Sequence, residues 1–139
     1  MPASPVLDSF ALLSFLRDEP GGEKVAAMLE KAARREQPVQ MTEVNYAETQ
    51  YIIRRKDGDA AWRVVAGELA ALPIEFHPAD RHLADLAADF KTRFKLSLAD
   101  AFAAALAKTR NAELVTGDRE FKEVESEIKI GWLTTMRPS

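Results

Sequence analysis

Four carboxylates stand out in this sequence by where they fall. Asp8 closes the apolar run Pro5-Val6-Leu7, and Asp118 follows the run Glu113-Leu114-Val115-Thr116 across Gly117. Asp100 opens an alanine-rich segment, and Glu48 lies inside a helical segment on what reads as its apolar side. If these four converge they repel one another unless a cation sits among them, and an oxygen-only ligand set suits Mg²⁺ or Mn²⁺. An ion held this way lowers the pKa of bound water and stabilises charge building on a phosphoryl group, which is the chemistry of phosphodiester hydrolysis. Taken singly, each acid has a plainer explanation. Asp8, Asp100 and Asp118 all sit where helices begin, where caps and the helix dipole favour a carboxylate. Glu48 is no cap, but it could pair with Arg54 or Arg55. The coincidence of all four argues for a site.

The elements that would position them can be read from periodicity. Residues 5–8 read as a first, buried strand, followed by helical spacing of large apolar residues over 9–17 and a break at Asp18-Glu19-Pro20-Gly21-Gly22. Residues 23–35 form an amphipathic helix with Val25, Met28, Leu29 and Ala32 inward, and 39–41 a second strand. Thr42 caps a helix over 43–56 whose inner face is expected to carry Val44, Ala47, Glu48 and Tyr51. A helix over 60–72 should turn Val64, Val65, Leu69 and Leu72 inward, with a third strand at 73–78. The helix over 79–94 buries Leu83, Leu86, Ala87 and Phe90.

Ser97 is placed to cap the helix over 98–108, which is nearly all alanine, leucine and phenylalanine and should be buried on most faces. A strand over 113–116, a short helix over 121–127 and a last strand over 128–133 complete the chain. Strands alternating with helices imply a parallel sheet covered on both faces, an α/β/α domain of four or five short strands. In such a sheet ligands bind beyond the carboxyl ends of the strands, where these acids would lie.

The chain has 139 residues, which suits one domain over 1–139 with a sizeable core. It is 47% hydrophobic and 29% charged, ordinary for a soluble globular protein. It has no cysteine, hence no disulfide framework, thiolate nucleophile or zinc–thiolate site. The net charge of −3 argues against the broad basic footprint of an architectural nucleic-acid binder. An enzyme that meets nucleic acid through a metal and a few arginines stays open. No signal peptide or membrane-length apolar run is visible, so the expected location is the cytoplasm.

Other candidates are weaker. His77 and His82 are poorly spaced for metal ligation across Pro78 and suit surface or loop roles. Trp62 and Trp132 read as packing residues. Arg34-Arg35 and Arg54-Arg55-Lys56 read as solvated helix ends, with phosphate contact as a second choice. There is no G-x-S-x-G and no G-x-x-x-x-G-K-[ST]. An aspartate-based phosphatase of the haloacid-dehalogenase type needs an Asp where Phe10 stands, and a phosphotransfer receiver needs an N-terminal acidic pair that is lacking. A binding module whose acids only cap helices is the alternative from outside enzymes.

The segments VLDSFALLSFL, VQMTEVNYAETQYIIRR, LADAFAAALA and LVTGDREF, in this order over essentially the whole chain, resemble PIN-domain nucleases. Within these the VapC-type toxins of toxin–antitoxin pairs are the nearest resemblance. It implies a three-layer PIN-like fold and a Mg²⁺- or Mn²⁺-dependent endoribonuclease. Such an enzyme is usually a homodimer, held inactive by a small cognate antitoxin. Matched by motif, Asp8, Glu48, Asp100 and Asp118 would be the catalytic acids, with Asp8, Asp100 and Asp118 on the metal and Glu48 completing the site or orienting water. Ser9 and Thr116 are the usual hydroxyl neighbours, and Glu120 stands as an accessory acid.

Overall fold

The computed structural model describes residues 3–134. Five strands, β1 (Val6–Leu7), β2 (Val39–Thr42), β3 (Ile74–His77), β4 (Leu114–Thr116) and β5 (Ile130–Trp132), form one sheet in the order β3-β2-β1-β4-β5. Every pairing is parallel. The helices are α1 (Ser9–Leu16), α2 (Gly22–Arg35), α3 (Glu43–Asp57), α4 (Asp59–Ala70), α5 (Arg81–Arg93) and α6 (Leu98–Arg110). The three-layer α/β/α fold expected from the sequence is what forms.

Alternation within even the shortest strands assigns the layers. Val6 and Leu114 point into a core shared with Leu83, Phe90, Leu106 and Phe121, on the side of α5 and α6. Leu7 and Val115, one residue on, point into the opposite core with Ala11, Val25 and Leu29 of α1 and α2. A third cluster joins Leu12, Met41, Ile53, Trp62 and Leu69, so Trp62 is the packing residue expected. Its ring meets Tyr46 edge-on at 5.7 Å between centroids. The alanines of α6 let it lie close to the sheet: Ala101, Ala103, Ala104 and Ala105 are all fully buried.

The sheet order creates a switch point. From β1 the chain builds outward to β2 and β3, then crosses to β4 and β5 on the other side of β1. In open parallel sheets the ligand crevice lies at such a point, here outside the carboxyl ends of β1 and β4, where connections leave in opposite directions.

Four local expectations need correction. The buried line of α3 is Asn45, Thr49 and Ile53, with Ala47 and Tyr51 turned to solvent. Val64 is 64% exposed, while Leu69 is buried as expected and Trp62 packs beside it. The short helix expected over 121–127 is a 3-10 helix, Arg119–Val124. His77 is no surface residue: it is buried at the end of β3, where Arg110 Nη2 donates to Nδ1 at 3.1 Å. His82 is exposed, as expected.

Candidate metal centre

The site lies at that switch point. Val6 pairs with Leu114 and Leu7 with Val115, so the next residues out, Asp8 and Thr116, emerge side by side. The Thr116 hydroxyl donates to Asp8 Oδ2 at 2.6 Å. The other Asp8 oxygen, Oδ1, accepts the Ala11 backbone N–H at 2.8 Å and caps α1. The capping role foreseen for Asp8 is therefore real, and it fixes the carboxylate at the crevice floor.

Three further elements bring acids to the same place. Asp118 leaves β4 after Gly117; its backbone N–H donates to Thr116 Oγ1 at 3.0 Å, and its Oδ1 caps the 3-10 helix through the Glu120 N–H at 3.0 Å. Ser97 caps α6 by accepting the Asp100 N–H at 3.1 Å, and the same hydroxyl acts on the Asp100 carboxyl, opposing the rise in its pKa. Glu48, half-buried on α3, accepts a hydrogen bond from the Ser9 hydroxyl. Ser9 and Ser97 thus each fix one acid, and Thr116 fixes two.

Asp100, Asp118 and Glu120 each offer an oxygen such that all lie within 4.8 Å of one another, a spacing that one ion can span. Asp8 and Glu48 fall outside that trio but are electrostatically part of it. The charges that act on Asp100 are those of Asp118, Glu48 and Glu120, and those on Asp8 are Asp100 and Asp118. Burial pushes the Asp8 carboxyl up to about 8; the Thr116 and Ala11 hydrogen bonds pull it back and the neighbouring acids push it further. Asp100 is pushed up to about 7, first by burial and then by Asp118. Carboxyls raised together in this way lack a compensating positive charge. A divalent cation bound by oxygen ligands supplies one, so the donor set fits Mg²⁺ or Mn²⁺.

One residue that ties these elements together was not singled out in the sequence. Asn45 is fully buried, accepts the Thr42 hydroxyl at Oδ1, and donates from Nδ2 to the Ala99 carbonyl at 3.2 Å. It ties α3, which carries Glu48, to the first turn of α6, which carries Asp100. The signal was present: an Asn three residues after the Thr42 cap, in line with Thr49 and Ile53.

The profile of the PIN domain matches residues 6–127, and the chain belongs to that family. No match is found among curated protein sequences. Solved structures with the same fold include a DNA-bound VapBC from Salmonella typhimurium, at 16% identity and a TM-score of 0.76, covering 95% of this chain and 99% of that one. FitAcB from Neisseria gonorrhoeae is 20% identical with a TM-score of 0.67, over 91% of this chain and 95% of that one. VapC20 of Mycobacterium tuberculosis, described as a Sarcin-Ricin loop cleaving toxin, is 15% identical with a TM-score of 0.68, over 91% and 98%. No helix among the described residues is long and apolar enough to cross a membrane.

Proposed function

We propose that this chain is a metal-dependent endoribonuclease of the VapC toxin type, neutralised by a small cognate antitoxin and acting in the cytoplasm as a homodimer. The observation that carries the reading is the gathering of Asp8, Glu48, Asp100, Asp118 and Glu120 at the β1/β4 switch point, where the charges that act on Asp8 and Asp100 are those of the other acids. Membership of the PIN family and the likeness to VapBC complexes and an RNA-cleaving VapC support it.

Asp100 and Asp118 are the ligands with the strongest geometric support, with Asp8 as the third and Glu120 as an accessory. Bound Mg²⁺ or Mn²⁺ would supply charge stabilisation to the phosphoryl group and acidify water there. The protein's own residues do the positioning. Thr116 holds Asp8 Oδ2, so this carboxylate presents its remaining lone pairs to the crevice in one orientation. Ser9 holds Glu48 Oε1, leaving Oε2 to accept a proton from, and so orient, an attacking water. Asn45 fixes the distance between the helices that bear Glu48 and Asp100.

Titration of Mn²⁺ into the protein by calorimetry, followed by RNA cleavage with and without chelator, tests the reading. Binding with chelator-sensitive cleavage is expected. No binding at millimolar metal would leave the acids as helix caps and favour a non-catalytic binding module.

A further inference from the structure

Phe10 is an aromatic side chain left open at the edge of the carboxylate centre. It is 39% exposed, follows Ser9 directly, and lies against Gly117, the residue before Asp118. The contact is close: a Cβ at position 117 would come within 2.3 Å of Phe10 Cε1. The ring is therefore held at one side by the loop that carries an acid, and part of the side chain stays open to solvent.

Among the described residues the exposed large hydrophobics are Phe10, Tyr51, Val64 and Leu98. Of these, Phe10 is two residues from Asp8 and packs on Gly117 of the loop that bears Asp118.

A polyanionic substrate gives this arrangement a purpose. The chain carries a net charge of −3 and its centre is a cluster of acids, so long-range attraction to phosphates is weak. Binding energy must come from the ion and from the uncharged parts of the nucleotide. Bases stack on aromatic rings with little regard to sequence, and only unpaired bases can offer a face.

We propose that Phe10 is a base-stacking residue that holds an unpaired nucleobase of the RNA next to the scissile phosphate. The assignment rests on the nuclease reading above. It makes Phe10 a determinant of the single-stranded character of the substrate, with Gly117 as the seat that orients its ring.

The test is steady-state cleavage, with Mn²⁺, of a short single-stranded RNA of mixed sequence and of its duplex form, by wild type and by Phe10→Ala, Phe10→Leu and Phe10→Tyr. Phe10→Ala should raise KM for the single strand roughly tenfold, more than it lowers kcat, with Mn²⁺ affinity unchanged. Phe10→Leu, which keeps apolar bulk over Gly117 but has no ring, should stay impaired, and Phe10→Tyr should restore KM. The difference between single strand and duplex should shrink in the impaired variants. Phe10→Leu behaving as wild type would overturn the proposal, because packing on Gly117 would then be the whole role. So would Phe10→Ala with unaltered cleavage but weakened antitoxin binding, which would make the ring part of a protein interface. If wild type itself cuts no RNA with Mn²⁺, the nuclease reading fails, a result distinct from an active wild type matched by Phe10→Ala.

Discussion

Thr116 and Asp8 lie 108 residues apart in sequence, yet the Thr116 hydroxyl meets Asp8 Oδ2 at 2.6 Å at the ends of adjacent strands. The same hydroxyl oxygen accepts the Asp118 backbone N–H at 3.0 Å, so one side chain sets the spacing of two acids.

Thr116→Val keeps the shape and removes both bonds. It should destabilise the fold by about 1–3 kcal/mol, because a buried carboxyl loses a donor and a backbone N–H loses its acceptor. Chemical denaturation would read the loss, and Mn²⁺ calorimetry should show weaker binding in the same variant.

Stability of the metal-free protein should fall as pH rises. Asp8 moves from an ordinary 3.8 to about 8 on folding, and Asp100 from 3.8 to about 7. Between these limits the folded state binds more protons than the unfolded one, so stability decreases with pH across the window from about 4 to about 8. The contribution is full below the unfolded value and lost above the folded ones. Thermal melts from pH 4 to 9 with chelator should show the decline on this account, and added Mg²⁺ should flatten it, since ligand carboxyls must lose their protons to bind metal.

Glu120 was an accessory candidate by motif, and the fold places it within reach of Asp100 and Asp118. Glu120→Gln should weaken Mn²⁺ binding by roughly 10-fold or more. Calorimetry at fixed pH checks this; unchanged affinity would leave Glu120 outside the metal's surroundings.

Two glycines should respond in opposite directions to alanine. A Cβ at Gly22 would come within 2.4 Å of the Ser14 carbonyl oxygen, where backbone must move, so Gly22→Ala should cost about 1–3 kcal/mol. Gly67, inside α4, has nothing within 4 Å of its would-be Cβ, and Gly67→Ala should stabilise by about 0.5–1 kcal/mol. Denaturation midpoints separate the two.

The layers and the acids were legible in the sequence because strand ends followed by Asp are local signals. Val6-Leu7-Asp8 and Val115-Thr116-Gly117-Asp118 needed no knowledge of the rest of the chain. The face of α3 was not legible from apolar spacing, because its buried line contains Asn45 and Thr49. Asn45 is satisfied by Ala99, a partner 54 residues away, and Thr49 donates back to the Asn45 carbonyl at 2.8 Å. Polar burial of that kind depends on contacts that periodicity does not encode. Tyr51, exposed beside it, was misassigned for the same reason. The 3-10 segment Arg119–Val124 is too short for a helical period to show.

Asp100 joins every line of the account: it opens α6, it is buried, and it faces Asp118, Glu48 and Glu120. The most direct measurement is RNA cleavage with Mn²⁺ by Asp100→Asn beside wild type, with folding confirmed by a thermal melt. Cleavage should fall at least a hundredfold, the order associated with losing one charge-stabilising group, while the melting temperature stays level or rises as a repelling charge is removed. A folded Asp100→Asn protein that cuts RNA at the wild-type rate would contradict the assignment of this centre.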